Sequence, residues 1–471
     1  MLRPYAHRVQ QTRTRRSLLA SAATLAAATG ALAACAGPGA TPSGGDAAPK
    51  KEQVNLRLVW RATEAEYTFA QRIPPFQEKF PHVKVDVEFM PADEFYTKVG
   101  VLFSSNSMGD VTFLEADDEA FYGFWTARGV LKQLDPFIAR DKYDMSVFVP
   151  NTVEALKIVD GKIWSFPYKA FVARNGLFYN ANAFQESGLP VPTDAWTYDD
   201  MRNAAQRLTK RSGTDITFWG GGRNFGGDFS FMAVTRAFGG DLYSPDGKRT
   251  LIGNDGSRQA ISWWLDRYLK DQTIAVNPGV SNPRQLFEQG KAGFVAGYNV
   301  GDRRAIANAL GPTGVQWSAA LMPKGPSGKR GGAYFLTPTG MNVQTKYPDE
   351  AWEFQKMLAE KETGVVMGFP PAVSGQTSAH FGVRKDVYTD PRVLNAPDMP
   401  PGVMAALARS MQEAEPYYTA HNFLSADVEK VVNDEVAKAV RAQVQYDSGF
   451  FQNMANQVQV VLDKPSTVAK P

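Results

Sequence analysis

Apolar and polar positions change period repeatedly along the first third of the folded chain. Val54-Asn55-Leu56-Arg57-Leu58 alternates, then runs into Val59-Trp60, and Val83-Lys84-Val85-Asp86-Val87-Glu88-Phe89 alternates more cleanly. A period of two predicts half-buried strands. Between them Phe69, Ile73, Phe76 and Phe80 recur at steps of four, three and four, a helical stripe in which Pro74-Pro75 predict a kink or break. Phe95, Val99 and Leu102 mark a second helix, and Asp110-Val111-Thr112-Phe113-Leu114 a third strand. Strands alternating with helices predict a parallel sheet covered on its faces. Ligands of such sheets bind beyond the carboxyl ends of the strands, here Trp60 to Glu66 and Glu115 to Glu119.

Further along, Thr197-Tyr198-Asp199-Asp200 opens a helix, and Pro348 precedes another with Asp349 and Glu350 in its first turn, where the dipole favours acids. Ser425 reads as an N-cap for a helix with Val428, Val432, Val436, Val440 and Val444 at four-residue steps, a core stripe. Trp263 and Trp264 fall in a helical pattern with Ala260, Ile261 and Leu265 and read as packing. Trp219 to Phe225 (WGGGRNF) reads as a glycine-rich loop after the strand-like Ile216-Thr217-Phe218.

Composition changes the picture mainly at the N-terminus. Cys35 is the single cysteine of 471 residues and closes a run of small and apolar residues from Leu18 to Ala34, behind Thr14-Arg15-Arg16-Ser17-Leu18-Leu19. A thiol with no possible disulfide partner in its own chain is a poor structural element. The run is alanine-rich and short for a membrane span, and a basic start followed by a small-residue cleavage site is a signal-peptide pattern. The segment resembles a bacterial lipoprotein signal of the twin-arginine type, which implies cleavage at residue 34 and acylation of Cys35. The leader carries Arg3, Arg8, Arg13, Arg15 and Arg16 and no acid; without them 46 basic residues face 48 acidic ones, so the basic precursor implies no nucleic-acid partner. Residues 35–52 include AGPGATPSGGDAAPKK, a Pro/Gly/Ala-rich tether. The remainder, about 420 residues, is long for one core and suggests two domains.

The stretch GKIWSFPY…GLFYNANAFQESGLPVPTDAWTYDDMRNAAQRL, residues 161–208, resembles the central signature of extracellular solute-binding protein family 1, the maltose-binding-like sugar-binding lipoproteins of bacterial ABC importers. Further segments follow in that family's order: Phe238-Gly239-Gly240-Asp241-Leu242-Tyr243, Leu286-Phe287-Glu288-Gln289-Gly290-Lys291-Ala292-Gly293-Phe294, Met322-Pro323-Lys324-Gly325-Pro326 and Tyr347-Pro348-Asp349-Glu350-Ala351-Trp352-Glu353-Phe354. Each is short; their number and order carry the likeness. Asn180-Ala181-Asn182 and Gly297-Tyr298-Asn299 depart from it, the second where a stacking aromatic is common.

The resemblance implies an α/β fold of the type II periplasmic-binding-protein class: two α/β lobes of discontinuous chain, a hinge, and a ligand cleft between them. It places lobe 1 at 53–166 with 324–369 and lobe 2 at 167–323 with 370–471. Passages between lobes then fall near Phe166–Tyr168, Leu321–Pro323 and Gly368–Pro371. A sugar needs flat aromatics for its C–H face and planar polar groups for its hydroxyls. The candidates at strand ends and loops are Trp60, Arg61, Glu64, Glu115, Asp117, Tyr168, Asn224, Phe225, Tyr298, Asn299, Tyr334 and Phe335. Core packing competes for each aromatic, and a helix N-terminal acid competes for Glu115 and Asp117.

Enzyme readings find little support: there is no G-x-S-x-G, no H-E-x-x-H, and His82, His380 and His421 are dispersed. A carboxylate pair flanking a glycosidic bond stays open as an alternative. The expectation is a non-catalytic, monomeric carbohydrate binder without cofactor or metal, lipid-anchored at the outer face of the cytoplasmic membrane and serving an ABC permease. A glycerol phosphodiester, polyamine or oligopeptide-like solute is the alternative ligand, with Arg61, Arg174 and Arg223 the residues to watch. A surface sensor or adhesin is the third reading.

Overall fold

The computed structural model describes residues 52–62, 65–105, 107–114, 122–157, 160–173, 175–224, 228–277, 279–280, 282–298, 300–370, 380–396, 399–417 and 419–466. Its strands, in chain order, are β1 (Val54–Arg61), β2 (Val83–Met90), β3 (Val111–Phe113), β4 (Ser165–Ala173), β5 (Gly176–Asn180), β6 (Lys210–Ser212) and β7 (Asp215–Phe218). They continue with β8 (Gly221–Asn224), β9 (Ile274–Asn277), β10 (Phe294–Tyr298), β11 (Trp317–Leu321), β12 (Ala333–Met341), β13 (Phe381–Gly382) and β14 (Glu415–Pro416). The larger sheet has the order β13-β4-β12-β3-β1-β2, with β14 beside β12; the smaller has β11-β5-β10-β8-β9; β6 and β7 form a separate hairpin.

The hydrophobic pattern explains the position of each strand. In β1, Leu56, Leu58, Val59 and Trp60 are buried while Asn55 and Arg57 stay exposed. Its buried final run suits a strand flanked on both sides, by β2 and β3, both parallel to it. In β2 the alternation persists along the whole strand, as befits a sheet edge with one wet face. Helix Ala65–Lys79 connects the two strands and runs through Pro74 and Pro75 without a break, with Phe69 and Phe76 buried. Each proline removes one backbone donor, and packing of the aromatic stripe on the sheet holds the helix together.

Further sequence readings are corrected here. The glycine-rich stretch around 220–222 is no loop: Gly221–Asn224 is β8, paired on both sides by β9 and β10 in the smaller sheet. Glycine is needed there for space, since a Cβ on Gly221 would lie 2.2 Å from the Phe294 ring. Ser425 does not cap its helix. Leu424 holds the N-cap position, and the Ser425 hydroxyl accepts the Ala420 N–H at 3.0 Å. The valine stripe is core through Val440, but the helix ends there, Ala442 turns at positive φ, and Val444 is exposed. Thr197, by contrast, closes a full capping box with Asp200, and Trp264 is wholly buried.

Register decides where the sheets meet. Thr339 pairs with Phe113, so β12 residues preceding it extend beyond the carboxyl end of β3, and there they pair with β4, from Pro338↔Pro167 to Ala333↔Ala173. This ribbon leads into the smaller sheet, because β5 starts at Gly176 and β11 ends at Leu321. Gly176 in turn pairs with Tyr298, the carboxyl end of β10. The carboxyl ends of the parallel strands of both sheets therefore lie toward the same connecting ribbon.

Candidate functional site

On the larger-sheet side the strand ends rest on an aromatic floor. The Trp60 ring packs 4.9 Å from Phe69, 5.8 Å from Phe113 and 5.4 Å from Tyr168, the last two edge-on. The Arg61 guanidinium lies 4.9 Å above the Phe113 ring and the Lys169 ammonium 5.5 Å from it, so two cations meet at the end of β3. Along the ribbon, Tyr334 is buried and its hydroxyl pairs with Thr152 at 2.5 Å; burial pushes its phenol well above the usual tyrosine range, and the Thr152 bond lowers it only in part. Phe335 stacks at a tilt on Tyr417, 5.3 Å away.

On the smaller-sheet side the chain bulges between Ala296 and Tyr298, with Gly297 at φ +77°. A Cβ on Gly297 would sit 2.5 Å from the Arg223 guanidinium, which is itself buried 4.9 Å over Trp264. The bulge thus combines a backbone conformation and a contact that only glycine allows. Just beyond, Arg303 reaches the larger-sheet body: its Nη2 donates to the Gly368 carbonyl at 2.6 Å and its guanidinium lies 4.5 Å from the Phe381 ring. The neighbouring Arg304 donates to the Pro370 carbonyl.

The passages between the sheets are knotted by buried arginines. Met322 N–H donates to the Asn175 carbonyl at 3.0 Å, tying the β4–β5 and β11–β12 connections. Arg330 binds Glu413 at 2.8 Å, the Met322 carbonyl at 2.7 Å and the Asp194 carbonyl at 3.1 Å. Arg236, from helix Asp228–Arg236, pairs with Asp241 at 2.8 Å and donates to the Glu415 and Gly332 carbonyls at 3.2 and 3.4 Å, where β14 and β12 begin. Burial raises the Asp241 carboxyl, and Arg236 pulls it back.

This geometry agrees with comparison to known proteins. The family model of the bacterial extracellular solute-binding proteins matches residues 61–365, well over half of the chain. The chain belongs to that family. Its fold matches those of solved binding proteins, although their low identities establish the fold alone. An ABC substrate-binding protein from Listeria monocytogenes in complex with cycloalternan has a TM-score of 0.69 at 16% identity, covering 87% of this chain and 99% of that one. The sugar-binding protein MalE from the phytopathogen Xanthomonas citri gives 0.70 at 17%, covering 87% and 97%. UgpB from Mycobacterium tuberculosis in complex with glycerophosphocholine gives 0.68 at 16%, covering 88% and 99%. A curated relative from Brucella abortus (strain 2308), named as a binding protein without a ligand, is 23% identical over 314 residues, 64% of this chain and 72% of that one. The expected type II periplasmic-binding-protein fold and the family assignment both stand.

In this solute-binding protein the predicted site residues fall into three groups. Trp60 and Tyr168 touch one another and are buried, as are Tyr298, Tyr334 and Phe335. Arg61 stands at the end of β1, partly exposed, and the backbone of Asn224 ends β8. Glu64, Glu115, Asp117, Phe225 and Asn299 lie outside the described residues, as do Cys35 and Arg174. Phe166 and Pro167 pair with β12 inside the larger sheet, Tyr168 falls at the bulge between Pro167 and Lys169, and that sheet also takes Phe381–Gly382. Sequence reasoning missed Lys169, Arg303 and Tyr417. Lys169 and Arg303 carried a usable signal, a charge inside an otherwise apolar strand and beside an amphipathic helix start. Among the described residues, no group of three or more His, Cys, Asp or Glu could hold a metal ion.

Proposed function

We propose that this protein captures a sugar or oligosaccharide between its two sheets and delivers it to the permease of an ABC importer, held to the membrane by lipid on Cys35. The observation that carries this reading is the convergence of the carboxyl ends of both parallel strand sets on one ribbon, with aromatics packed beneath and the Arg61 and Lys169 cations beside them. That is the composition a carbohydrate requires. In this reading Arg61 and Tyr298 contact the solute, together with Asn224 and the candidates Glu64, Glu115, Asp117, Phe225 and Asn299. Trp60, Tyr168, Tyr334 and Phe335 form the supporting floor. The two lobes each hold one sheet, and closure is a hinge motion about the passages that Arg236 and Arg330 bind. Sugar complexes among the structural relatives support the ligand class. Export rests on the family and on the leader that ends at Cys35.

A thermal-shift screen tests the ligand. A bound oligosaccharide at 100 times its dissociation constant should stabilise the fold by about 2.7 kcal/mol; no shift with any carbohydrate would count against the reading. Cys35→Ser should move the protein to the soluble fraction with binding unchanged, and retention in membranes would refute anchoring through that residue.

A glycerol phosphodiester is the second reading. The two cations over Phe113, Arg61 and Lys169, favour it, as does the glycerophosphocholine complex of the mycobacterial relative.

A further inference from the structure

A cavity of about 390 Å³ lies in the larger-sheet body, between the last turns of helix Ala65–Lys79 and residues 353–360 with Arg384. Its position follows from the fold. Helix Ala65–Lys79 runs from the carboxyl end of β1 back to the amino end of β2, so its last two turns lie at the sheet edge opposite the strand ends described above. The cavity is therefore not part of the proposed sugar cleft.

Its walls divide by chemistry. Phe76 and Phe80 pack 4.9 Å apart on one side, Phe76 anchored edge-on against Phe354 at 5.3 Å. The polar wall holds four cations, Arg72, Lys79, Lys356 and Arg384, and two carboxylates, Glu353 and Glu360; Asp141 and Asp386 add a carboxylate each to Lys356 and Arg384, so Lys79 is the cation with no acidic partner among the described residues. Both wall carboxylates are engaged: Glu360 by Arg72 at 2.5 Å and Glu353 by Lys356 at 2.7 Å. Arg72 gives Nε to the Thr363 hydroxyl and Nη2 to Glu360, and its Nη1 has no hydrogen-bond partner among the described residues. Arg384 is aligned by a two-point bond to Asp386, at 3.0 and 2.7 Å. The Lys79 ammonium lies 5.2 Å from the Phe80 ring and forms no ion pair among the described residues. An aromatic wall beside an aligned guanidinium and the Lys79 ammonium suits a flat apolar body carrying an anionic head.

We propose that this cavity is a second binding site, for a small organic anion with an aromatic body and a phosphate or carboxylate head. Such a ligand would bridge helix Ala65–Lys79 to the 348–384 stretch, two segments distant in sequence, without entering the cleft between the sheets.

Phenyl phosphate serves as the probe, titrated calorimetrically into the protein beside inorganic phosphate and phenol. The expected result is saturable one-to-one binding of phenyl phosphate, with each fragment at least about tenfold weaker. Lys79→Ala should weaken phenyl phosphate about tenfold and Lys79→Arg should restore most of it. Lys79 is exposed, so neither change threatens folding, and a saturating cleft ligand should leave the affinity unaltered. Absence of saturable binding in the millimolar range, or affinity indifferent to both Lys79→Ala and Arg384→Ala, would overturn the proposal. So would competition between phenyl phosphate and a cleft ligand at one site.

Discussion

Trp60→Ala is expected to lower unfolding stability by about 3–5 kcal/mol, the cost of removing a large ring from a packed core. The indole is fully buried among Phe69 of helix Ala65–Lys79, Phe113 of β3 and Tyr168 of β4, so its removal opens a cavity between the helix and the sheet. Its N–H finds no acceptor among the described residues, so Trp60→Phe keeps much of the packing and removes an unpaired donor. That variant should cost less than about 1.5 kcal/mol. Urea unfolding of both proteins provides the measurement. An alanine variant as stable as wild type but unable to bind solute would place the ring on the ligand instead of under the site.

Arg236→Met should cost about 3–5 kcal/mol at neutral pH, because it strands a largely buried carboxylate. The Asp241 side chain is 15% exposed and owes its charge to Arg236, which also holds the starts of β12 and β14. The sign of the pH dependence follows. Burial already raises the Asp241 carboxyl, and without the guanidinium it rises further, so the folded variant takes up a proton that the unfolded chain does not. The deficit should be small below the ordinary carboxylate range and grow as pH climbs through the raised folded value. Arg236→Met with Asp241→Asn should recover a large part of the loss and flatten the profile. A deficit equal at acid and neutral pH would mean that the charge pair is not what Arg236 contributes.

Much of the larger sheet was legible because its signals are local. The alternation in β1 and β2 and the aromatic stripe that continues as helix Ala65–Lys79 through Pro74-Pro75 arise from neighbouring residues, as does the helix start at Thr197 in the rest of the chain. The glycines at 220–222 misled because their reason is tertiary: the Phe294 ring from another strand occupies the space of a side chain. Ser425 misled similarly, its hydroxyl taken by Ala420 across a turn. At the site, residue type and strand-end position picked out Trp60, and Tyr168 stood among the candidates; their mutual contact is tertiary. What lay beyond a sequence reading was depth. Whether an aromatic at a strand end faces solvent or lies beneath its neighbours depends on rings from Phe69 and Phe113, brought in by other elements. The cations over Phe113 depend on β4 crossing close to β3, which only the register of β12 establishes.

The central claim is that this solute-binding protein holds a carbohydrate between its sheets without transforming it. Calorimetric titration with a panel of mono- and oligosaccharides, followed by chromatography of the released ligand, tests it most directly. One carbohydrate class should bind saturably, one molecule per protein, and be recovered intact. Failure of every carbohydrate beside saturable binding of glycerophosphocholine, or recovery of a cleaved sugar, would contradict it.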